Sequence, residues 1–165
     1  MKSRASIILA VFIFVLFAVA VFFRKLRRVR IQNIRSFTFT YTGSDSFNSE
    51  KYFKLSVKDG EYIASFKDAS SADPEIRRVN VDKSFPARLE EMLNRNKVFA
   101  WDRFDKIDRR VLDGKRFNLE IYDKNGSVVS ARGYGKRPRN FKVVKNEIEA
   151  MFSDIFSTKL SCGEE

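Results

Sequence analysis

The sequence contains no histidine, so imidazole bases, His-ligated metal sites and Ser-His-Asp hydrolysis are all outside its reach. Carboxylates, amines and hydroxyls remain. The densest acids stand in WDRFDKIDRRVLDG, which holds Asp102, Asp105, Asp108 and Asp113. For a pair such as Asp102 and Asp105 to work as general acid and base on an anionic or glycan substrate, one carboxyl would have to keep its proton near neutral pH. The spacing fits no EF-hand loop, which needs acidic or amide residues at alternate positions followed by Gly. Arg103, Lys106, Arg109 and Arg110 are interleaved with these acids, the pattern of a solvated turn laced with ion pairs. No catalytic, cofactor-binding or metal-ligating residue is therefore assigned, and the chain is expected not to be an enzyme.

The cations are the better lead. Between Asp123 and Glu147 the chain carries no acid but includes Lys136, Arg137, Arg139 and Lys142. Gly133 and Gly135 precede them at a helix start, where free N–H groups favour an anion. Gly135-Lys136-Arg137 lacks the upstream glycine and the Ser/Thr of a P-loop, and the spacing is not that of a dinucleotide fingerprint. These four residues are the candidate contacts for anionic lipid or for an acidic protein partner. Trp101, the only tryptophan, is the candidate aromatic contact, against the plainer reading of a buried corner among Val98, Phe99 and Phe104.

The net charge of +11 suggests nucleic acid until it is mapped. Residues 1–35 hold eight Lys/Arg and no Asp or Glu, leaving 24 against 21, or +3, for the rest. A groove-binding domain would spread its excess over a folded face; here it flanks IILAVFIFVLFAVAVFF, residues 7–23, and nucleic acid is not expected as a partner. As a helix those 17 residues would extend about 25 Å, just enough to span a bilayer. Phe22, Phe23, Arg24, Lys25, Arg27 and Arg28 then read as its headgroup edge. The expected organisation is a membrane anchor with a basic flank over 1–30, one domain over 31–157 and a disordered tail over 158–165. The expected location is the cell membrane in a single pass. Cleavage as a signal peptide after Ala18-Val19-Ala20 is the competing reading. Cys162 is the only cysteine and forms no internal disulfide.

The elements that must position these residues follow from periodicity. SFTFTYT alternates Phe37, Phe39 and Tyr41 with small polar residues, which predicts a half-buried strand. Asp59-Gly60 predicts a two-residue hairpin pairing Val57 with Tyr62, Leu55 with Ala64 and Phe53 with Phe66. EIRRVNV adds a short strand. Ser84 is expected to cap a helix carrying Phe85, Leu89, Met92 and Leu93, which ends near Asn96. A three-residue Lys124-Asn125-Gly126 turn sets Ile121 against Val129, Leu119 against Ala131 and Phe117 against Gly133. Phe141, Val144, Ile148, Met151, Phe152 and Ile155 mark a last helix over 140–157. The fold class expected is α+β: an antiparallel sheet of about five strands with two helices packed on one face, behind one N-terminal transmembrane helix.

Trp101-Asp102-x-Phe104, Asp113-Gly114-x-x-Phe117-x-Leu119-x-Ile121 and the lead from Gly133 to Pro138 resemble small bacterial α+β domains of unknown function that follow a membrane anchor or a lipoprotein signal. The likeness covers roughly residues 37–157. It implies an α+β domain associated with the bacterial envelope and carries over no activity and no catalytic residues. The chain departs from the lipoprotein type in having no cysteine after its apolar segment. The expectation from residues and resemblance together is a membrane-anchored binding or scaffolding domain, with a carboxylate-dependent enzyme as the alternative.

Overall fold

A computed structural model describes residues 30–42, 50–69, 75–111 and 114–160. The apolar segment 7–23, Asp113 and Cys162 lie outside the described residues. Among those described, no helix is long and apolar enough to cross a membrane.

β1 (Ile34–Thr42) is the middle strand of a seven-stranded sheet in the order β4-β3-β2-β1-β6-β7-β5. The other strands are β2 (Glu50–Lys58), β3 (Glu61–Asp68), β4 (Arg77–Val81), β5 (Phe104–Ile107), β6 (Arg116–Asp123) and β7 (Gly126–Tyr134). Two helices, α1 (Ser84–Arg95) and α2 (Phe141–Leu160), and a 3₁₀ turn at Val98–Trp101 complete the described elements. Period-two alternation sends Phe37, Phe39 and Tyr41 to the core and Ser36, Thr38 and Thr40 to the opposite face. Phe39 pairs with Phe53 on one side and Leu119 on the other, so the apolar side chains of three strands meet in one layer.

The expected sheet of about five antiparallel strands is corrected by this count and by direction. The sheet is mixed: β5 runs parallel to β7, with Phe104 opposite Ala131 and Ile107 opposite Tyr134. The reason lies in the chemistry of FDKI. Asp105 and Lys106 break any apolar alternation, and the strand is held by backbone bonds, Arg103 N–H to the Ser130 carbonyl at 2.8 Å and Asp108 N–H to the Tyr134 carbonyl at 2.8 Å. Periodicity reports side-chain burial, and β5 has almost none to report.

The first hairpin has the expected register, Val57–Tyr62, Leu55–Ala64 and Phe53–Phe66. Asp59 and Gly60 both have positive φ, 54° and 85°, as a type I′ turn requires. The second hairpin pairs Ile121 with Val129, Leu119 with Ala131 and Phe117 with Gly133, but its extra residue is not in the turn. Lys124 and Asn125 make a two-residue turn between Asp123 and Gly126, and a bulge beside Ile121 and Tyr122 restores the core register. Asp123 Oδ1 accepts the Asn125 N–H at 2.6 Å, a side-chain substitute for the turn bond.

Asp82, not Ser84, caps α1: its Oδ1 accepts the Ser84 N–H at 2.8 Å and the Phe85 N–H at 3.3 Å. Phe85, Leu89, Met92 and Leu93 are its buried stripe. α1 also holds the beginning of the domain. Asn94 exchanges two bonds with the Ile31 backbone, at 2.9 and 2.7 Å, and Glu90 accepts the Ile34 N–H at 2.7 Å.

α2 crosses the sheet diagonally. Phe141 lies 4.8 Å from Phe117 and 6.0 Å from Phe39, Phe152 lies 5.3 Å from both Phe53 and Phe85, and Phe156 lies 5.9 Å from Phe66. Centroid distances of this order are those of favourable aromatic pairs. Both helices thus share one core with one face of the sheet, and no described helix packs on the other. Phe152 is fully buried between α1 and β2, so truncating it opens a cavity no neighbour can fill. Phe152→Ala is expected to cost about 3–5 kcal/mol, read as a lowered urea midpoint by circular dichroism; a loss under about 1 kcal/mol would mean the core is not packed around it.

Candidate functional site

β6 and β7 bring their far ends together where the cations gather. Arg116 pairs with Tyr134, and the Gly135 N–H donates to the Lys115 carbonyl at 3.1 Å. Gly135 also bridges to Ile107, which brings the end of β5 to the same place. Three stretches, 106–110, 115–116 and 136–142, therefore converge around Gly135. Its φ of 66° and the nearness of Asp108 Cβ, 3.1 Å from where a Cβ would stand, explain why glycine is needed there.

The predicted cations have separate supports. Lys136 Nζ is 3.1 Å from Asp108 Oδ2, and Asp108 also meets Arg110 Nε at 3.4 Å. The Arg137 guanidinium lies over the Phe141 ring at 5.0 Å, a placement that holds it without neutralising it. Among the described residues, Arg137, Arg139 and Lys142 form no ion pair. The first turn of α2 contains no acid, so the positive end of its dipole adds to theirs.

Trp101 is buried, not a surface platform. It stacks on Phe141 at 5.9 Å and donates its Nε1–H to the Arg139 carbonyl at 3.1 Å. Its role on this geometry is to fix the backbone that carries the cations. Asn140, at φ 62°, then turns the chain into α2, a conformation asparagine tolerates better than most residues. The loop is thereby held from below by a ring, a hydrogen bond and the start of a long helix.

The described acids of the stretch 102–113 are each engaged by a cation or a backbone N–H. Asp105 meets Arg132 at 2.6 Å on the open face, and that hydrogen bond holds its carboxyl below the usual carboxylate range. Asp102 lies 3.6 Å from Arg103 and accepts the Ser130 N–H at 3.1 Å. The hydrogen bond from Lys136, with help from the Arg110 backbone, holds Asp108 low as well. A carboxyl poised as a general acid needs the opposite shift. Among the described residues no group of three or more potential ligands stands close enough to hold a metal ion.

Among the described residues, one strongly perturbed cluster was not read from the sequence. In the seam between sheet and α2, Tyr41 donates its hydroxyl to Glu149, Lys145 meets Glu149 at 2.6 Å, and Lys51 bridges Glu149 and Asp68 at 3.3 Å each. Burial, then the Glu149 hydrogen bond, pushes the Tyr41 phenol far up. For Glu149 burial pushes upward, but the hydrogen bonds from Lys145 and Tyr41 and the two ammonium charges outweigh it and hold the carboxyl low. For Lys51 burial is likewise outweighed, by Asp68 and Glu149, and the ammonium is held high. The signal was an acid at position 149, within the apolar stripe between Val144 and Phe152. The cluster reads as a clamp that seats α2 on β1 and β2.

No protein-family model matches the chain, and no curated protein matches it.

The clamp makes stability pH-dependent in a definite sense. Glu149 is lowered in the folded state, so its contribution is present above the ordinary carboxylate value of about 4.3 and is lost as pH falls through the lowered one. Glu149→Gln is expected to cost about 1–3 kcal/mol at neutral pH, with the gap to the parent closing as the solution is acidified in urea titrations. A gap that does not narrow in acid would contradict the clamp.

Proposed function

We propose that this chain is a recognition domain rather than an enzyme, tethered to a bacterial cell membrane by a single pass of residues 7–23, and that it binds an acidic protein partner through the basic end of its sheet. The observation that carries the reading is the convergence of cations from three separate segments on a backbone fixed by Trp101 and Gly135. Cations scattered over a solvated surface have no need of such support. Three of them, Arg137, Arg139 and Lys142, are without an ion pair among the described residues and are ready for an outside anion.

Ile107 and Val111, exposed beside these cations, favour protein over lipid as that anion. The domain begins at Ile31, held by Asn94 of α1 beside the start of β1. The basic loop leaves the other end, since Tyr41 pairs with Phe117 and Arg116 with Tyr134. The seven residue steps from Ile34 to Tyr41 span about 23 Å. Ile31 and the basic loop thus lie at opposite ends of the strands. Charge of this kind governs encounter rate and orientation more than final affinity.

The test uses the full chain in nanodiscs of neutral lipid, with poly-L-glutamate as probe and phosphatidylglycerol vesicles as the comparison. Poly-L-glutamate is expected to bind the parent and to bind a Lys136→Ala, Arg137→Ala, Arg139→Ala triple variant at least about tenfold more weakly, with salt eroding the difference. Equal binding by the two proteins, or binding to the vesicles alone, would overturn the reading.

A further inference from the structure

We infer that the free edge of β5 is a strand-addition site, on which an extended acidic segment of the partner docks as an eighth strand. The inference rests on the reading of the basic end and goes further by naming how the partner is held. β5 closes the sheet on one side and, among the described residues, has no strand beyond it. All of its residues except Phe104 are exposed. Asp108 donates inward to Tyr134, and in the alternation of a parallel ladder Phe104 and Lys106 also face β7, whereas Asp105 and Ile107 turn their N–H and C=O groups outward.

What surrounds this edge specifies the occupant. Ile107 is 64% exposed, the largest exposure among the exposed large apolar residues described, and Val111, 39% exposed, lies just beyond it. Both stand by Gly135, Ile107 through its bridge and Val111 with its Cβ 3.5 Å from where a Gly135 Cβ would be. Lys106 and Arg109, next to Ile107 in sequence, form no ion pair among the described residues, whereas Asp105 and Asp108 are engaged by Arg132, Arg110 and Lys136. An added strand that alternates acidic and β-branched residues would place acids toward the cations and apolar side chains on Ile107 and Val111, while its backbone took the outward groups of Asp105 and Ile107.

Edge strands are also kept short and lysine-bearing to prevent association, and β5, with four residues and Lys106, fits that description. The two readings differ in one respect. A blunted edge gains nothing from a ligand's ability to form a ladder, whereas a docking edge requires it.

The full chain in neutral nanodiscs is therefore titrated with two fluorescent ten-residue peptides of equal charge, one alternating Glu and Val, the other with its central valines replaced by proline. The alternating peptide is expected to bind at least about tenfold more tightly, because proline removes ladder donors. It should also slow hydrogen exchange at Asp105 and Ile107. Ile107→Glu, a change at an exposed position that leaves the core intact, is expected to weaken the alternating peptide at least about tenfold through like-charge repulsion. Equal binding of the two peptides, or an unaffected Ile107→Glu variant, would overturn strand addition and leave the basic end as an anion-binding surface. No binding of either peptide would overturn both.

Discussion

Everything on the basic end depends on how α2 lies on the sheet. Phe141, Phe152 and Phe156 run the length of the helix and meet Phe117, Phe53 and Phe66 in turn, so the helix has one seating in which all three rings are buried. That seating decides where the chain must stand as it leaves β7, and the seven residues from Gly135 to Phe141 have little freedom left. The Tyr41–Glu149–Lys51 clamp adds a polar lock at the same seam. It is costly to desolvate and useful mainly because it accepts a single register of helix against sheet.

From this constraint the supports of the cations follow. Trp101 reaches the Arg139 carbonyl only because Phe141 offers a ring to stack on and Phe117 an edge to meet. Gly133 faces the Lys136 carbonyl and the Phe117 ring so closely that any side chain would displace them. The cations themselves owe little to one another, which would repel; they are assembled by apolar packing beneath them. That division, apolar packing for position and unpaired charge for contact, is the arrangement expected of a surface built to recognise an anion.

How much of this was legible in the sequence depended on whether burial or backbone did the work. β1, the Asp59-Gly60 hairpin and α2 were readable because each writes a period of two or 3.6 into its apolar residues. β5 was not, since its membership of the sheet is a matter of backbone bonds at an edge and its side chains are charged. The same strand carries the parallel pairing that overturned the antiparallel expectation. Lys136, Arg137, Arg139 and Lys142 were visible as a run, whereas Arg110, Lys115 and Arg116 join them only through β6–β7 pairing and the Ile107–Gly135 bridge. The clamp left one trace, an acid in an apolar helical stripe, and its partners on β1, β2 and β3 are separated from it by 80 residues or more.

The central claim is that an acidic partner meets the end of the sheet formed by the end of β5, the start of β6 and the lead into α2. Hydrogen exchange of the full chain with and without saturating poly-L-glutamate, resolved to short peptides by mass spectrometry, tests it most directly. Protection confined to residues 104–116 and 134–142 is the result this account predicts. Protection centred on the start of β1 and on α1, with the basic loop unchanged, would contradict it.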